Sequence, residues 1–385
     1  MHADATGTVL FTGFPGFLGS RLLPRVLRRS PGTRAACLVQ AKFAGLAAER
    51  VAALEAADPA LAGRIDLVTG DLTRAGLGLD GGDRLAADVT EIWHLAAVYD
   101  LGVPRDIGMQ VNVAGTRNVL RFAESCPNLR RHHYVSTCYV SGRHCGPFDE
   151  TDLDVGQSFN NFYEETKFLA EVEVAAARDG GMPTTVYRPA IVVGDSRTGD
   201  TQKFDGPYFL LQWLLRQPEA CALVPVVGDP TMVRFNMVPS DFVIDAVEHL
   251  SGLDESVGRT YQLADPRPLT VDELLAEMCR ATGRRGVRVP LPRRLTTWTL
   301  ANVGPVERWV GIPADAVAYF VHPTHYGTDH TDADLAGSGI TCPPVDSRLL
   351  GLYFSYFTRT GFLEAPIEPV ETVSTQGGKT GDNRR

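Results

Sequence analysis

The sequence predicts an α/β fold in which a doubly wound parallel sheet carries a smaller C-terminal cap. Three observations lead to this prediction. Short runs of β-forming residues alternate with helical patterns through the first half of the chain. A glycine-rich turn joins the first of these runs to the first helical pattern. The alternation ends near Gly194, after which helical patterns mix with isolated strand-like pieces.

The alternation defines the elements of the sheet. It begins with a β-rich run at Thr8–Thr12 and a helical pattern at Phe17–Arg29. The further predicted strands are Ala35–Gln40, Ile65–Thr69, Glu91–His94, His132–Ser136 and Thr184–Val193. The further predicted helices are Phe43–Ala57, Val111–Ser125 and Asn160–Arg178. Because neighbouring parallel strands need a long crossover, usually a helix, this order predicts parallel pairing.

The pattern of the second half of the sequence predicts a cap whose segments interleave with the sheet. Helical patterns lie at Pro207–Arg216, Pro239–Leu250, Val271–Arg280 and Leu295–Val303, and strand-like pieces at Thr260–Leu263 and Gly286–Val289. We expect one domain over 6–200, with some later segments interleaved, and a cap mainly over 201–364. The segment 365–385 is rich in Pro, Thr, Gly and charged residues, which predicts a disordered tail.

Composition limits the classes of protein that fit. Of the 385 residues, 44% are hydrophobic and 22% charged, which excludes disorder as the overall state. The net charge of -9 argues against nucleic acid as a partner. No apolar run reaches the ~18 residues of a membrane span, and no secretory signal opens the sequence. We therefore expect a cytoplasmic protein without a transmembrane span.

The cysteines give no sign of a disulfide framework or a metal site. There are seven, an odd number, and none forms a C-x-x-C pair. This usage is typical of a reducing compartment, and we expect no bound metal.

The glycine-rich turn carries the first functional signal. Gly13, Gly16 and Gly19 fit the spacing G-x-x-G-x-x-G between a strand and a helix. Glycines at these points permit a tight turn and close approach of a pyrophosphate, which the helix N-terminus attracts. The turn therefore predicts a dinucleotide-binding Rossmann domain. The residues expected to contact the cofactor here are Thr12, Gly13, Gly16, Phe17, Leu18 and Gly19.

The end of the second strand indicates which dinucleotide is used. Sites that prefer NAD usually place an acidic residue here to bind the ribose 2′-hydroxyl. This chain has Gln40 and Lys42 instead, so nothing there repels a 2′-phosphate. We expect NADP(H) to be favoured over NAD(H), with Lys42 as a candidate contact; a solvated lysine remains the alternative.

A tyrosine and a lysine at helical spacing are candidate catalytic residues. Tyr163 and Lys167 lie four positions apart, so a helix places them on one face. A nearby cation favours the phenolate, which suits the tyrosine for proton transfer to or from a substrate oxygen. Thr137, at the end of a predicted strand, is placed to donate a hydrogen bond to a substrate carbonyl.

Together these motifs resemble the extended short-chain dehydrogenases/reductases. The motifs in that family's order are the glycine turn, Gly70–Leu72, His94–Ala97, Val111–Thr116, Ser136–Thr137, Tyr163 with Lys167, and Tyr187–Pro189. Two segments, Thr69–Leu79 and Arg188–Gly199, are similar to the male-sterility branch. That branch includes fatty acyl-CoA reductases and the terminal reductase domains of carboxylic acid reductases and peptide synthetases. The resemblance covers about residues 6–250.

The resemblance implies a role for each matching residue. Thr137, Tyr163 and Lys167 would form the catalytic set, with the last two also near the cofactor. The other cofactor positions implied are Asp71 and Leu72 at the adenine, Ala96 and Ala97 at the ribose and phosphates, and Pro189, Ile191 and Val192 at the nicotinamide. Asn112 would lie near the active site as a structural or water-holding residue. Many members of the branch have Arg where this chain has Gln40, which puts the NADP preference in question.

The function implied is NADPH-dependent reduction of an acyl thioester, on coenzyme A or a carrier protein, to an aldehyde; whether a second hydride gives the alcohol is left open. The alternative is ketone/alcohol interconversion of the hydroxysteroid or 3-oxoacyl type, which the same three residues serve equally well. A sugar-nucleotide epimerase and a non-catalytic cofactor-sensing module are less favoured. The oligomeric state is left open.

One basic run could meet an acidic partner. Six arginines lie close together in an otherwise acidic chain: Arg280, Arg284, Arg285, Arg288, Arg293 and Arg294. They could bind the phosphates of coenzyme A or an acidic carrier protein. A solvated loop beside a strand edge is the favoured interpretation.

Overall fold

Strands and helices alternate through the first half of the computed structural model, which describes residues 7–99, 102–202, 206–227, 229–291, 320 and 322–360. The strands are β1 (Thr8–Thr12), β2 (Arg34–Val39), β3 (Ile65–Thr69), β4 (Val89–His94), β5 (Arg131–Val135), β6 (Gly146–Phe148), β7 (Thr184–Pro189), β8 (Ile191–Val193), β9 (Ala222–Val227), β10 (Met237–Pro239), β11 (Thr260–Leu263), β12 (Gly286–Leu291) and β13 (Thr324–Tyr326). The helices are α1 (Phe17–Arg29), α2 (Ala44–Ala57), α3 (Gly82–Asp88), α4 (Arg105–Gly108), α5 (Gly115–Glu124), α6 (Phe162–Asp179), α7 (Pro207–Leu215), α8 (Ser240–Ser251), α9 (Val271–Ala281), α10 (Asp329–Leu335) and α11 (Ser347–Arg359).

Seven of these strands form one parallel sheet in the order β3-β2-β1-β4-β5-β7-β11. From β1 the chain proceeds outward through β2 and β3, then returns to β4 on the other side of β1. Ligands in such sheets bind where the order reverses, beyond the carboxyl ends of the strands. The doubly wound parallel fold predicted from the sequence is therefore confirmed, and the site is expected next to β1 and β4.

Both faces of the sheet are covered by helices. Phe11 of β1 points to one face, where it belongs to the same core as Leu23 of α1 and Phe242 of α8. Its neighbour Leu10 points to the other face and packs with Val119 of α5. Successive residues of a strand face opposite sides, so a strand buried on both faces is apolar throughout.

Two predicted elements differ from the observed ones. The strand predicted at Thr184–Val193 is split into β7, which lies in the main sheet, and β8, which pairs with β10. The break falls at Ala190, whose N–H is drawn to the carbonyl of Leu263 at 3.0 Å. The helix predicted at Val111–Ser125 starts earlier, at Arg105, and includes a π-helical turn over Met109–Ala114.

Residues beyond 200 contribute to the sheet as well as to the cap. Strand β11 is the seventh strand, and α8 covers one face beside α1. A second core gathers α7, β9, α9 and α11. The helix predicted at Leu295–Val303 and the tail predicted over 365–385 lie outside the described residues. Among the residues described, no helix is long and apolar enough to cross a membrane.

Candidate active site

A cavity of about 360 Å³ opens where β1, β4, β5 and β7 end. The predicted site residues that line it are Gly13, Gly16, Phe17, Leu18, Gly19, Ala96, Ala97, Thr137, Tyr163, Lys167, Pro189, Ile191 and Val192. Residues scattered over about 180 positions of sequence thus meet at the edge of the sheet that the strand order indicates. The structure brings the predicted glycine turn and the predicted catalytic set into one cavity.

The glycine turn is packed so closely that side chains do not fit at any of its three glycines. Gly13 has a φ of 91°, and a Cβ there would lie 2.9 Å from the backbone N of Ala96. A Cβ on Gly19 would lie 2.5 Å from the carbonyl oxygen of Gly13. This close packing directs the N-terminal turn of the thirteen-residue helix α1 toward the cavity. Unpaired helix N–H groups and bare glycine backbone suit a pyrophosphate, so the residues present fit a dinucleotide.

Thr12 supports the turn from behind rather than lining the cavity. Its buried Oγ1 accepts a hydrogen bond from the Ala96 N–H at 3.2 Å and lies 2.9 Å from Nδ1 of His94. The other ring nitrogen of His94 lies 2.9 Å from Oγ1 of Thr116. Burial lowers the pKa of His94 well below its usual value. The neutral ring therefore links β1, β4 and α5 beneath the cofactor turn.

The Tyr163–Lys167 pair lies on the first two turns of α6. Asn161 caps this helix, its Oδ1 accepting the Glu164 N–H at 2.9 Å. The buried Lys167 Nζ donates to the Tyr134 hydroxyl and to the Val135 carbonyl, each at 2.9 Å. Burial lowers the pKa of Lys167 to about 8. The ammonium is thus held at the end of β5 within the cavity.

Tyr99 is a cavity residue that the sequence analysis did not identify. Its ring packs edge-on against that of Tyr163, with centroids 5.0 Å apart and planes at 86°. It stands in the loop after β4, next to Ala96 and Ala97. Only the general rule that loops at the carboxyl ends of parallel strands carry function could have indicated it.

Thr137 lies two residues after the end of β5 and caps the short helical turn Cys138–Ser141. Its Oγ1 accepts the Tyr139 N–H at 3.3 Å and donates to the Pro189 carbonyl at 3.4 Å. The donated bond is long, so a substrate oxygen in the cavity could take its place. The predicted role as a carbonyl hydrogen-bond donor is compatible with this geometry.

The predicted adenine contacts lie outside the cavity. Asp71 accepts hydrogen bonds from the N–H and hydroxyl of Thr73, at 2.9 and 2.8 Å. Partial burial would raise the pKa of Asp71, but these bonds outweigh it and lower the pKa. Leu72 is half-buried against the core beneath α5. Lys42 is exposed, with its Nζ 4.8 Å from the centre of the Phe43 ring.

Asn112 is a structural link next to the site. Its Oδ1 accepts the Val98 N–H at 2.8 Å, and its Nδ2 donates to Thr166 Oγ1 at 3.1 Å. It thereby ties the loop after β4 to helix α6, one residue from Lys167. Its side chain is 1% exposed and does not line the cavity.

Part of the cavity lining is apolar, and the sequence did not predict all the residues that form it. Phe235 and Phe320 stack with ring centroids 4.9 Å apart, and both line the cavity together with Tyr139. These residues come from three distant parts of the chain and lie in no motif. No local signal could have identified them.

The basic run is largely engaged within the fold. Arg280 pairs with Glu277, and Arg288 with Asp272. Arg284 donates to three backbone carbonyls, at 2.9 to 3.2 Å. Arg293 and Arg294 lie outside the described residues. Within the part of the chain that the structure describes, no cluster of His, Cys, Asp and Glu could hold a metal ion.

Comparison with known proteins identifies the family. The sequence profile described as "male sterility protein" matches residues 11–247. A component of the linear gramicidin synthase of Brevibacillus parabrevis is 31% identical over 376 residues, which cover 92% of this chain and 7% of that protein. Glycine betaine reductase of Emericella nidulans is 31% identical over 287 residues, covering 70% of this chain and 22% of that protein. The chain thus spans less than a quarter of either relative.

A solved structure matches almost end to end. The terminal R domain from the myxalamid PKS-NRPS biosynthetic pathway is 30% identical, with a TM-score of 0.79, and the match covers 95% of this chain and 94% of that one. The fold and cavity define an NAD(P)-binding oxidoreductase of the extended short-chain type. Within that class, the chain belongs to the male sterility family.

Proposed function

We propose that this chain is an NADPH-dependent thioester reductase, which releases an acyl group from coenzyme A or a carrier protein as an aldehyde. One observation carries the proposal. A single cavity is lined by the glycine turn, by Thr137, Tyr163 and Lys167, and by apolar side chains that include Phe235. This combination suits a cofactor, a reacting carbonyl and an acyl group. The similarity to a terminal R domain of a PKS-NRPS pathway supports the thioester as substrate.

The residues of the chain supply the proton chemistry of this reaction. Bound NADPH supplies a hydride to the thioester carbonyl carbon. Thr137 donates a hydrogen bond to the carbonyl oxygen, and Tyr163 gives its phenolic proton to that oxygen as its negative charge develops. The Lys167 ammonium stabilises the phenolate left behind. The product of this step is a hemithioacetal.

The hemithioacetal then breaks down within the same site. Its carbon–sulfur bond cleaves, its hydroxyl proton returns to the Tyr163 phenolate, and the sulfur leaves as a thiolate that takes a proton from solvent to give the thiol. The carbon becomes an aldehyde, which a second hydride would reduce to the alcohol. Aldehydes and ketones need only the first half of this sequence, so the same residues would serve a carbonyl reductase.

The proposed preference for NADPH rests on the end of β2. Neither Gln40 nor Lys42 carries a negative charge that would repel a 2′-phosphate. The ammonium of Lys42 is exposed just after β2, where a 2′-phosphate could contact it. In the same proposal Asp71 and Leu72 adjoin the adenine. K42Q should weaken NADPH binding several-fold and leave NADH binding unchanged. Equal losses for both cofactors would show that Lys42 does not read the 2′-phosphate.

The reaction is tested by following two products together. Purified protein is mixed with NADPH and a long-chain acyl-CoA, or the same acyl group on a carrier protein, and NADPH loss and free thiol are measured. We expect thiol release to match NADPH loss for aldehyde, or half of it for alcohol, and Y163F to abolish both. Turnover of aldehydes or ketones with no thiol released would refute thioester reduction and leave the carbonyl reductase.

A further inference from the structure

A buried carboxylate joins the three elements that carry the catalytic set. Glu171 lies on α6, one turn after Lys167, and its side chain is 3% exposed. Its Oε1 accepts from Arg188 Nε at 2.8 Å and from Nη2 at 2.6 Å. Its Oε2 accepts from the Ser136 hydroxyl. One carboxylate therefore ties α6 to the ends of β5 and β7.

Of the two residues that Glu171 binds, Ser136 lines the cavity itself and Arg188 is next to a residue that does. Ser136 precedes Thr137, and Arg188 precedes Pro189, whose carbonyl accepts the Thr137 hydroxyl. Arg188 is held further by the Asp152 carbonyl, to which its Nη2 donates at 2.7 Å. A shift of Glu171 would therefore move Thr137 relative to the pair on α6.

The charge of Glu171 also acts on the site. The groups that contact Lys167 or act on its charge are Tyr134 of β5, Glu171 of its own helix and His94 of β4. Tyr163 lines the same cavity. Burial lowers the pKa of Lys167, and the negative charge of Glu171 opposes that effect. Glu171 thus favours the ammonium form that the proposed proton transfer needs.

Stability alone does not account for this arrangement. A buried ion pair is often no more stable than well-packed apolar residues of the same volume, because both charges lose their hydration. Here Nη1 of Arg188 is also buried without a hydrogen-bond partner among the described residues. Burying the Glu171–Arg188 ion pair therefore costs free energy, and a purely structural role does not explain that cost.

We infer that Glu171 is a positioning residue, which through Ser136 and Arg188 sets Thr137 against Tyr163 and Lys167. The inference rests on the proposed reductase function for its catalytic consequence. Its geometric basis is the meeting of β5, β7 and α6 at one carboxylate. It applies to whichever carbonyl substrate the protein reduces.

The chain offers a direct readout that does not depend on turnover. It contains four lysines: Lys42, Lys167, Lys203 and Lys379. Protein labelled with 13C only at the lysine ε carbon therefore gives four signals by NMR, one for each lysine. The signal that is missing from a K167M sample is that of Lys167. In E171Q we expect the titration midpoint of Lys167 to fall by about one pH unit. E173Q, which removes an exposed ion pair with Arg117 from the same helix, is the matched control and should leave the midpoint unchanged.

Activity supplies the second readout. With any substrate that the wild type reduces, E171Q should lower kcat about tenfold or more, with KM and NADPH affinity changed less than kcat. The pH above which kcat declines should fall along with the Lys167 midpoint. If thioesters fail but a ketone is reduced, the proposed function is refuted, while the same E171Q comparison on the ketone still tests Glu171.

A second variant separates positioning from folding. E171Q/R188M removes both charges and should melt at a higher temperature than E171Q, because no unpaired charge remains buried. Its kcat and its Lys167 midpoint should stay low. The inference requires that E171Q or E171Q/R188M, whichever folds, has both a lower Lys167 midpoint and a lower kcat than the wild type. A wild-type value of either quantity in that variant overturns it.

Discussion

Replacing the buried His132 should reduce the amount of unfolding free energy that the protein loses as the pH falls. His132 lies on β5, is fully buried, and has its Nδ1 3.1 Å from Oγ1 of Thr184 on β7. Burial, with a smaller contribution from the charge of His133, lowers the pKa of His132 from 6.5 to about 3. The unfolded chain therefore binds a proton at this position over a pH range in which the folded protein does not.

The size of the effect follows from the two pKa values. A group with a lowered pKa contributes stability that is fully present above the unfolded value of 6.5 and is lost as the pH falls toward about 3. At pH 5, about 1.5 units below the unfolded pKa, the loss from His132 alone is about 2 kcal/mol, at ~1.36 kcal/mol per unit. His94, His133 and His322 also have lowered pKa values, so the total loss is larger.

Urea denaturation at pH 7.5 and pH 5 measures this directly. H132Q will be less stable than the wild type at pH 7.5, because the packing of the ring is lost. Between the two pH values, however, it should lose about 2 kcal/mol less than the wild type. H325Q is the control, since His325 is exposed in the folded protein, and it should follow the wild type. An equal loss in H132Q and the wild type would refute the reasoning.

Three further predictions concern the turn, the C-terminal segment and the apolar part of the cavity lining. G19A should lose about 1–3 kcal/mol of stability and bind NADPH more weakly in a fluorescence titration, because its Cβ would lie 2.5 Å from the Gly13 carbonyl oxygen; unchanged binding would contradict the packing described. The buried Glu150 accepts hydrogen bonds from the N–H groups of Gln262 and His330 and from the N–H and hydroxyl of Thr331. Because each donor left without a partner costs about 1–3 kcal/mol, E150A should lower the free energy of unfolding by about 3 kcal/mol or more. A loss below about 1 kcal/mol would refute this prediction. F235A should shift the ratio of kcat/KM for long against short acyl groups toward the longer ones, by about tenfold; a constant ratio would place the acyl group elsewhere.

The sequence was sufficient for the sheet and for the glycine turn that lines the cavity. Strand β1 and helix α1 were predicted with the bounds that the structure shows, because the apolar run and the glycine turn both act locally. The positions of Tyr163 and Lys167 likewise follow from helical spacing alone. Where the prediction was wrong, as in the single strand over Thr184–Val193, a contact with a distant residue decided the outcome: the Leu263 carbonyl takes the Ala190 N–H.

Two predicted site residues support the loops around the cavity and do not line it. Thr12 was expected from the glycine turn to contact the cofactor, and the resemblance implied a structural or water-holding role for Asn112; both are buried in hydrogen bonds that fix neighbouring loops. Their side chains satisfy backbone groups that would otherwise be stranded near the cavity. Family motifs therefore mark residues that build the site as well as residues that touch its ligands.

The apolar part of the cavity lining explains why substrate choice is harder to predict than chemistry. Hydride and proton transfer need a fixed set of groups at fixed spacing, and that set is visible in a single sequence. The apolar residues Tyr139, Phe235 and Phe320 line the cavity together. Phe235 lies two residues before β10, which pairs with β8, and Phe320 lies four residues before β13, which pairs with β6. An apolar residue at such a position looks like any core residue in the sequence. Under the proposed function, selectivity for the acyl group is therefore a property of tertiary packing, and substitutions at Phe235 should change it without altering the proton transfer proposed for Tyr163.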